Sequence, residues 1–166
     1  MPPSGLFEFD LATLAVIGLI GALAGGAAIT VFSRAVQAEG SLRATWLLFA
    51  GVAAGVGAWS LSLTPLLTSH LAALAGFSPV ATVAGLLIAV IGMTVAFALG
   101  VVSRDAEARV AAGFTLGLTL AGTHFVAVGA GHFDQGLDWN NAQLAATFAC
   151  GVLGGVALFF VAGLSR

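Results

Sequence analysis

Long apolar stretches separated by short polar clusters make up most of this sequence. Five of the stretches contain no Asp, Glu, Lys or Arg. Each reaches the ~20 residues that an α-helix needs to cross the hydrocarbon core of a bilayer. The pattern predicts an all-α integral membrane fold with five transmembrane helices, in one transmembrane domain over residues 1–166. The expected spans are 11–33, 44–68, 80–102, 110–131 and 142–164.

The arginines predict how these spans are oriented. They fall only in the first loop, the third loop and the C-terminus, and the chain contains no Lys. Because basic residues concentrate on the cytoplasmic side, we expect the N-terminus outside and the C-terminus in the cytoplasm. An odd number of spans places the two termini on opposite sides of the membrane, in agreement with this orientation. The start of the chain lacks a basic segment, so we expect the first span to be retained rather than cleaved as a signal peptide.

Composition excludes most soluble functions. The chain is 60% hydrophobic and 7% charged, with a mean hydropathy of +1.10, which leaves too little polar surface for a soluble domain or a nucleic-acid partner. The single cysteine, Cys150, provides neither a disulfide nor a cysteine metal site. No carboxylate lies within a span and no catalytic motif occurs, so we expect no enzyme activity. We expect any output to pass through a partner or a part of the protein beyond this sequence.

An internal repeat with an offset of 62 residues is visible without gaps. It predicts a two-helix unit used twice, preceded by one extra helix. Because the offset contains two spans, the copies should share one orientation and be related by an axis along the membrane normal. The matching pairs are Gly51 with Gly113, Gly55 with Gly117, His70 with His132, Gly92 with Gly154, Phe97 with Phe159 and Arg104 with Arg166.

His124 is the ionisable side chain that lies well inside a span, and such residues in membranes are functional candidates by default. Three roles stay open for it. It could be a neutral imidazole hydrogen-bonded inside the bundle to Ser62, Thr64, Thr123 or a carbonyl group. It could contact an organic ligand such as a haem, a chlorophyll-type pigment or a quinone, or it could bind copper. Sequence favours the first role, so no cofactor is predicted.

Other candidates are expected to be structural. His70 and His132 are read as solvated histidines at the outer surface, where they could face each other. The Gly-x-x-x-Gly pairs are typical of close helix packing, either within the bundle or between subunits. They are Gly51 with Gly55 and Gly113 with Gly117. Trp59 is expected to fill space between helices, and its indole N–H then needs one acceptor.

Two motifs resemble a known family. Residues 55–63 read Gly-Val-Gly-Ala-Trp-Ser-Leu-Ser-Leu, and residues 117–130 read Gly-Leu-Thr-Leu-Ala-Gly-Thr-His-Phe-Val-Ala-Val-Gly-Ala. They are similar to the paired motifs of the MHYT family of bacterial membrane sensor domains, Gly-x-Gly-Ile-Trp-x-Met-His-Phe and Gly-Leu-x-Ile-Ala-Gly-Met-His-Tyr-x-x-Met. The resemblance covers most of the chain. It implies the bacterial cytoplasmic membrane. In that family the domain has six or seven spans and precedes cytoplasmic signalling modules such as PAS, GGDEF and EAL, so five spans make this chain a shortened form.

In that family, Met and His residues near the outer face are proposed to bind copper and to sense oxygen, carbon monoxide or nitric oxide. The resemblance places the family histidines at Ser62 and His124. The methionine positions are Leu61, Leu66, Thr123 and Val128. A copper ion in lipid needs several imidazole or thioether donors, so one imidazole among these side chains predicts no copper site.

Two functions therefore stay open. The chain could be a short, degenerate sensory input domain that passes a signal to a cytoplasmic signalling partner. It could instead be an accessory structural subunit of a larger membrane complex, for example a respiratory or photosynthetic one. The motifs favour the first function, and the end of the sequence at Arg166 without an output module favours the second. In both cases the partners are the lipid bilayer and other membrane or signalling proteins.

Overall fold

A computed structural model shows five long helices, which we number α1 to α5, and two short strands, β1 and β2. It describes residues 11–68, 76–102, 105–132 and 141–164. The helices are α1 (Leu11–Gln37), α2 (Gly40–Thr68), α3 (Pro79–Val102), α4 (Ala106–Gly129) and α5 (Asn141–Leu164). The strands are β1 (Gly76–Phe77) and β2 (Gly131–His132).

Four of the helices, α1 to α4, are long and apolar enough to cross a membrane, which supports a multi-pass membrane protein. In α5 the described apolar segment, Leu144–Ala157, is shorter. The fifth span stays a prediction. Helices α2 and α4 begin at Gly40 and Ala106, several residues before the predicted spans. The difference arises because a helix continues past the apolar segment that crosses the lipid.

Each helix packs against the next one along the chain, and α2 also contacts α4. The centre of the bundle is therefore a triangle of α2, α3 and α4, with α1 against α2 and α5 against α4. Small side chains dominate its interior: Ala50, Ala89, Ala96 and Ala112 are fully buried. Small residues let helix backbones approach closely, which is the main source of packing contacts inside a bilayer.

A short antiparallel strand pair joins the ends of α3 and α4. Gly76 pairs with His132, and Phe77 pairs with Gly131. The backbone N–H of Ser78 donates to the carbonyl oxygen of Ala130 at 2.8 Å, so one orphan carbonyl at the end of α4 is satisfied. Hydropathy did not predict this pairing.

Candidate functional site

The first glycine pair lies at the crossing of α2 and α3. A Cβ atom added to Gly55 would lie 2.6 Å from the Cα of Val90, and one added to Gly51 would lie 2.8 Å from the Cα of Thr94. Real Cβ atoms do not approach backbone atoms this closely. Only glycine therefore fits at both positions of α2, and the two backbones are in direct contact there.

The second glycine pair makes the same kind of crossing between α4 and α5. A Cβ atom on Gly113 would collide with the backbone of Val156, and one on Gly117 would collide with the backbone of Val152. Val156 and Val152 lie 62 residues after Thr94 and Val90, the neighbours of the first glycine pair. The neighbouring positions therefore show the same offset as the glycines themselves.

Trp59 connects α2 to α3 near the strand pair. Its indole Nε1–H donates to the carbonyl oxygen of Thr82 at 3.0 Å. Its ring also lies beside Gly85, where an added Cβ atom would be 3.7 Å from Cδ1 of Trp59 and 3.4 Å from Cγ1 of Val126 on α4. The indole thus has the acceptor that a half-buried tryptophan needs, and it sits where α2, α3 and α4 meet.

Among the described residues, Thr123 is the largest fully buried side chain, with no exposed area. Its Oγ1 has no hydrogen-bond partner among the described residues. By contrast, Oγ1 of Thr119, one turn earlier, donates to the carbonyl oxygen of Thr115 at 2.7 Å. A buried hydroxyl without a partner lowers stability. The interior of α4 therefore carries one unsatisfied polar group next to the candidate histidine.

His124 does not point into the bundle, where a hydrogen bond was expected for it. Its side chain is exposed, and its ring contacts Phe125 edge-on with the centroids 5.7 Å apart. Phe125 in turn stacks on Phe148 of α5 at 5.1 Å. The expected hydrogen bond inside the bundle is absent from the described residues, because successive residues of a helix point about 100° apart and Thr123 takes the interior direction.

The positions that the MHYT resemblance pairs do not converge. Leu61 packs towards α1, with Cδ1 3.8 Å from where a Cβ of Gly21 would lie. Ser62 is half-buried, and its hydroxyl donates to the carbonyl oxygen of Ala58 at 2.9 Å. Thr64 likewise donates to Ser60. With Thr123 inside the bundle and His124 outside it, these side chains do not form a set of metal donors.

The side chains of the remaining candidates are not described by the structure. His132 lies in β2, so its backbone is at the end of α4. The side chain of Leu66 is not described, and His70 lies outside the described residues. Over residues 11–68, 76–102, 105–132 and 141–164, no group of three His, Cys, Asp or Glu side chains could hold a metal ion. A metal centre at the positions named from the sequence therefore finds no support among the described side chains.

The sequence interpretation missed Thr123 as a buried polar position in its own right. A signal for it was present: Thr119 and Thr123 lie four residues apart on the α4 face that is opposite to the exposed residues Phe114 and Leu118. Hydroxyl residues repeated at this spacing mark one helix face. Both are buried, and Thr119 lies against Gly92 of α3.

No protein-family model matches the chain, and no solved structure matches it. A protein of Caulobacter vibrioides described as an "uncharacterized signaling protein" is 30% identical to it over 136 residues. The matched region is 82% of this chain but 17% of that protein. The chain therefore matches one segment of a much longer protein and spans less than a fifth of that protein's length.

Proposed function

We propose that this chain is a membrane sensory or signalling input module of the MHYT type, with a degenerate ligand motif. The observation that carries the proposal is the 136-residue similarity to part of a longer protein described as a signalling protein. The paired motifs of residues 55–63 and 117–130 support the family assignment. In this role the chain is not catalytic. It transmits a change in helix packing to a partner.

The proposed module is built from two copies of a two-helix unit, α2–α3 and α4–α5, preceded by α1. The glycine crossings support this, because each glycine and its neighbour recur 62 residues later in the same arrangement. The α1 contact supports it further. An added Cβ on Gly57 of α2 would meet Ala24 of α1, and Thr119, the equivalent of Gly57, contacts α3 at Gly92. Helix α1 thus packs on α2 in the position in which α3 packs on α4.

The proposed orientation in the bacterial cytoplasmic membrane puts Arg34, Arg43 and Arg109 in the cytoplasm and the strand pair outside. Near the cytoplasmic end Arg34 lies over the ring of Trp46, 5.2 Å from its centroid, a cation–π contact suited to the edge of a membrane. In a Cys150→Ala background, a cysteine at Glu39 should react with an impermeant maleimide only after cell lysis. Reaction in intact cells would reverse the orientation.

A segment exchange tests the signalling role. The matching segment of the Caulobacter protein is replaced by this chain, and the hybrid is expressed in a Caulobacter strain that lacks the native protein. We expect the hybrid to restore the transcript profile of the wild-type strain. A hybrid with an unrelated five-helix membrane segment, present at the same level in the membrane, should leave the profile of the deletion strain unchanged.

Failure of the first hybrid at normal membrane levels would contradict the signalling role. The accessory-subunit function makes a different prediction for the native protein. It requires that the chain, purified from its own membranes in mild detergent, is recovered with other membrane subunits in a fixed ratio. Recovery in such a ratio, together with a hybrid that restores nothing, would replace the proposal.

A further inference from the structure

Two arginines and a tryptophan come together where α1 meets α2, at the end of the bundle opposite to the strand pair. Arg34 lies in the last turn of α1, and its guanidinium carbon is 5.2 Å from the ring centroid of Trp46 on α2. Arg43 lies in the first turn of α2, three residues before Trp46, so these two side chains share one face of the helix. Both positive charges therefore lie on the Trp46 side of the α1–α2 hairpin.

Both guanidinium groups are held by contacts that leave most of their hydrogen-bond donors unused. Nε of Arg43 donates to the carbonyl oxygen of Ala38 at 2.7 Å, which leaves its two Nη groups. The contact of Arg34 with the indole ring uses its charge and no N–H group. Within the described residues neither arginine has a carboxylate partner, although Glu39 lies in the loop between them. Two oriented cations thus stand at the membrane boundary without an anion.

Aromatic rings continue this group into the lipid. Trp46 and Phe49 follow Arg43 at intervals of three residues, so the three side chains lie at successive levels on one face of α2, about 4.5 Å apart. The rings of Trp46 and Phe49 meet edge-on with their centroids 6.2 Å apart, and Phe49 is 53% exposed. From the end of the span inwards, the order is a charge, an amphipathic indole and an apolar ring. A phospholipid has the matching order of phosphate, glycerol esters and acyl chain.

The equivalent end of α4 lacks this arrangement. At the 62-residue offset the arginine of α2 is replaced by Asp105, and the two rings are replaced by Ala108 and Ala111. Arg109 lies at the same end of α4 and makes no ring contact among the described residues. The grouping of cations and rings is therefore a feature of the α1–α2 hairpin, and not a general consequence of basic residues at the end of a span.

We propose that the α1–α2 hairpin binds an anionic phospholipid, with Arg34 and Arg43 on its phosphate and with Trp46 and Phe49 along its glycerol and acyl chain. Guanidinium N–H groups match phosphate oxygens in charge and geometry. A net anionic headgroup is preferred to a zwitterionic one, because the zwitterionic headgroup brings its own cation close to two arginines. The proposal rests on the membrane-spanning character of α1 and α2 and stands apart from the signalling role.

Quenching of Trp46 fluorescence by brominated lipid measures this binding in the full chain. Trp59→Phe and Trp139→Phe leave Trp46 as the single tryptophan. The chain is reconstituted in phosphatidylcholine vesicles that contain a minor fraction of phosphatidylglycerol. Bromine is placed on the acyl chains either of the phosphatidylglycerol or of an equal fraction of the phosphatidylcholine. We expect phosphatidylglycerol to occupy the position beside Trp46 at least about fivefold more often than its share of the membrane.

Three variants with the same loss of charge test whether the preference belongs to the hairpin. Arg34→Gln and Arg43→Gln each remove one positive charge from the proposed site, and Arg109→Gln removes one from the same end of α4. We expect the preference for phosphatidylglycerol to fall by about threefold or more for either of the first two, and to stay unchanged for Arg109→Gln. Equal quenching of every variant by brominated phosphatidylcholine shows that Trp46 keeps its place against the lipid.

Equal quenching by the two brominated lipids in the unsubstituted hairpin would overturn the proposal. So would an equal loss of preference in all three arginine variants, because it would reflect only the net charge at this end of the bundle. Soluble glycerol phosphate, added at constant ionic strength, separates a lipid from a free phosphate compound. We expect it to leave the preference unchanged, and a preference that it abolished would assign the hairpin to a free phosphate ester instead of a lipid.

Discussion

The two helix pairs share a crossing geometry but differ in how the crossing is stabilised. In α2–α3, glycines on one helix face Thr94 and Val90 on the other. In α4–α5, glycines lie on both helices: an added Cβ on Gly151 would be 3.0 Å from the carbonyl oxygen of Gly117, and Gly155 meets Gly113. The second pair thus packs backbone against backbone, while the first pair adds a side-chain connection through Trp59. The same repeat position is Ala121 in the second pair.

The largest expected effect is at the glycine crossings. Gly117→Ala and Gly55→Ala should each lower the free energy of unfolding by about 1–3 kcal/mol, because the new methyl group meets backbone that cannot move aside cheaply. Unfolding by SDS titration in mixed micelles measures this. Gly122→Ala is the control, since nothing lies within 4 Å of its added Cβ. Equal stability of all three variants would show that the glycine crossings do not stabilise the two helix pairs.

A smaller effect is expected where the pairs differ. Trp59→Phe removes the indole donor to Thr82, and interhelical hydrogen bonds in membranes contribute on the order of 0.6 kcal/mol. The same SDS titration should show a loss of about 0.5–1.5 kcal/mol, including packing. An unchanged free energy of unfolding would mean that the first pair gains nothing from this connection.

Thr123→Val should be neutral or slightly stabilising, because it removes a buried hydroxyl that has no partner among the described residues and keeps the side-chain shape. Thr119→Val is the matched control one turn away. It removes a hydroxyl that donates to Thr115, and it should cost up to about 1 kcal/mol. A loss at Thr123 as large as at Thr119 would indicate that the Thr123 hydroxyl has a partner in the membrane.

No copper binding is expected at the family position. The side chains of Leu61, Ser62, Thr123 and His124 point in different directions, and one exposed imidazole does not replace the hydration shell of a metal ion. Metal analysis of the detergent-purified chain, with His124→Ala beside it, measures this. About one equivalent of copper that is lost in the variant would show that ligands from elsewhere complete a site.

Much of the fold could be predicted because its signal is simple. Apolar length indicated the helices α1 to α4, and glycine spacing indicated where helices could approach. The short strand pair could not be predicted, because two residues such as Gly76 and Phe77 carry no periodic pattern and their partner lies far along the chain. The earlier starts of α2 and α4 were missed because hydropathy marks lipid-crossing length rather than helix length.

Hydropathy alone did not predict the direction of His124. In a soluble helix, polar residues mark the surface, so a buried and an exposed face can be told apart. In α4 both faces are apolar: Leu118 is exposed and Leu116 is buried. The repeat offset relates His124 to Ser62 and Gly154 to Gly92. It indicates which way a side chain points only when it is combined with the contacts in the structure.

The strand pair connects the start of α3 to the end of α4. Their ends are held together by the Gly76–His132 and Phe77–Gly131 pairings and by the bond from Ser78 to Ala130. A hinge at one end converts a small tilt between the two helices into a displacement that grows with distance along them. Over the 24 residues of α4 that distance is about 36 Å. A tilt of a few degrees would therefore move the end of α4 near Arg109 by a few ångströms while the strand pair stays in place.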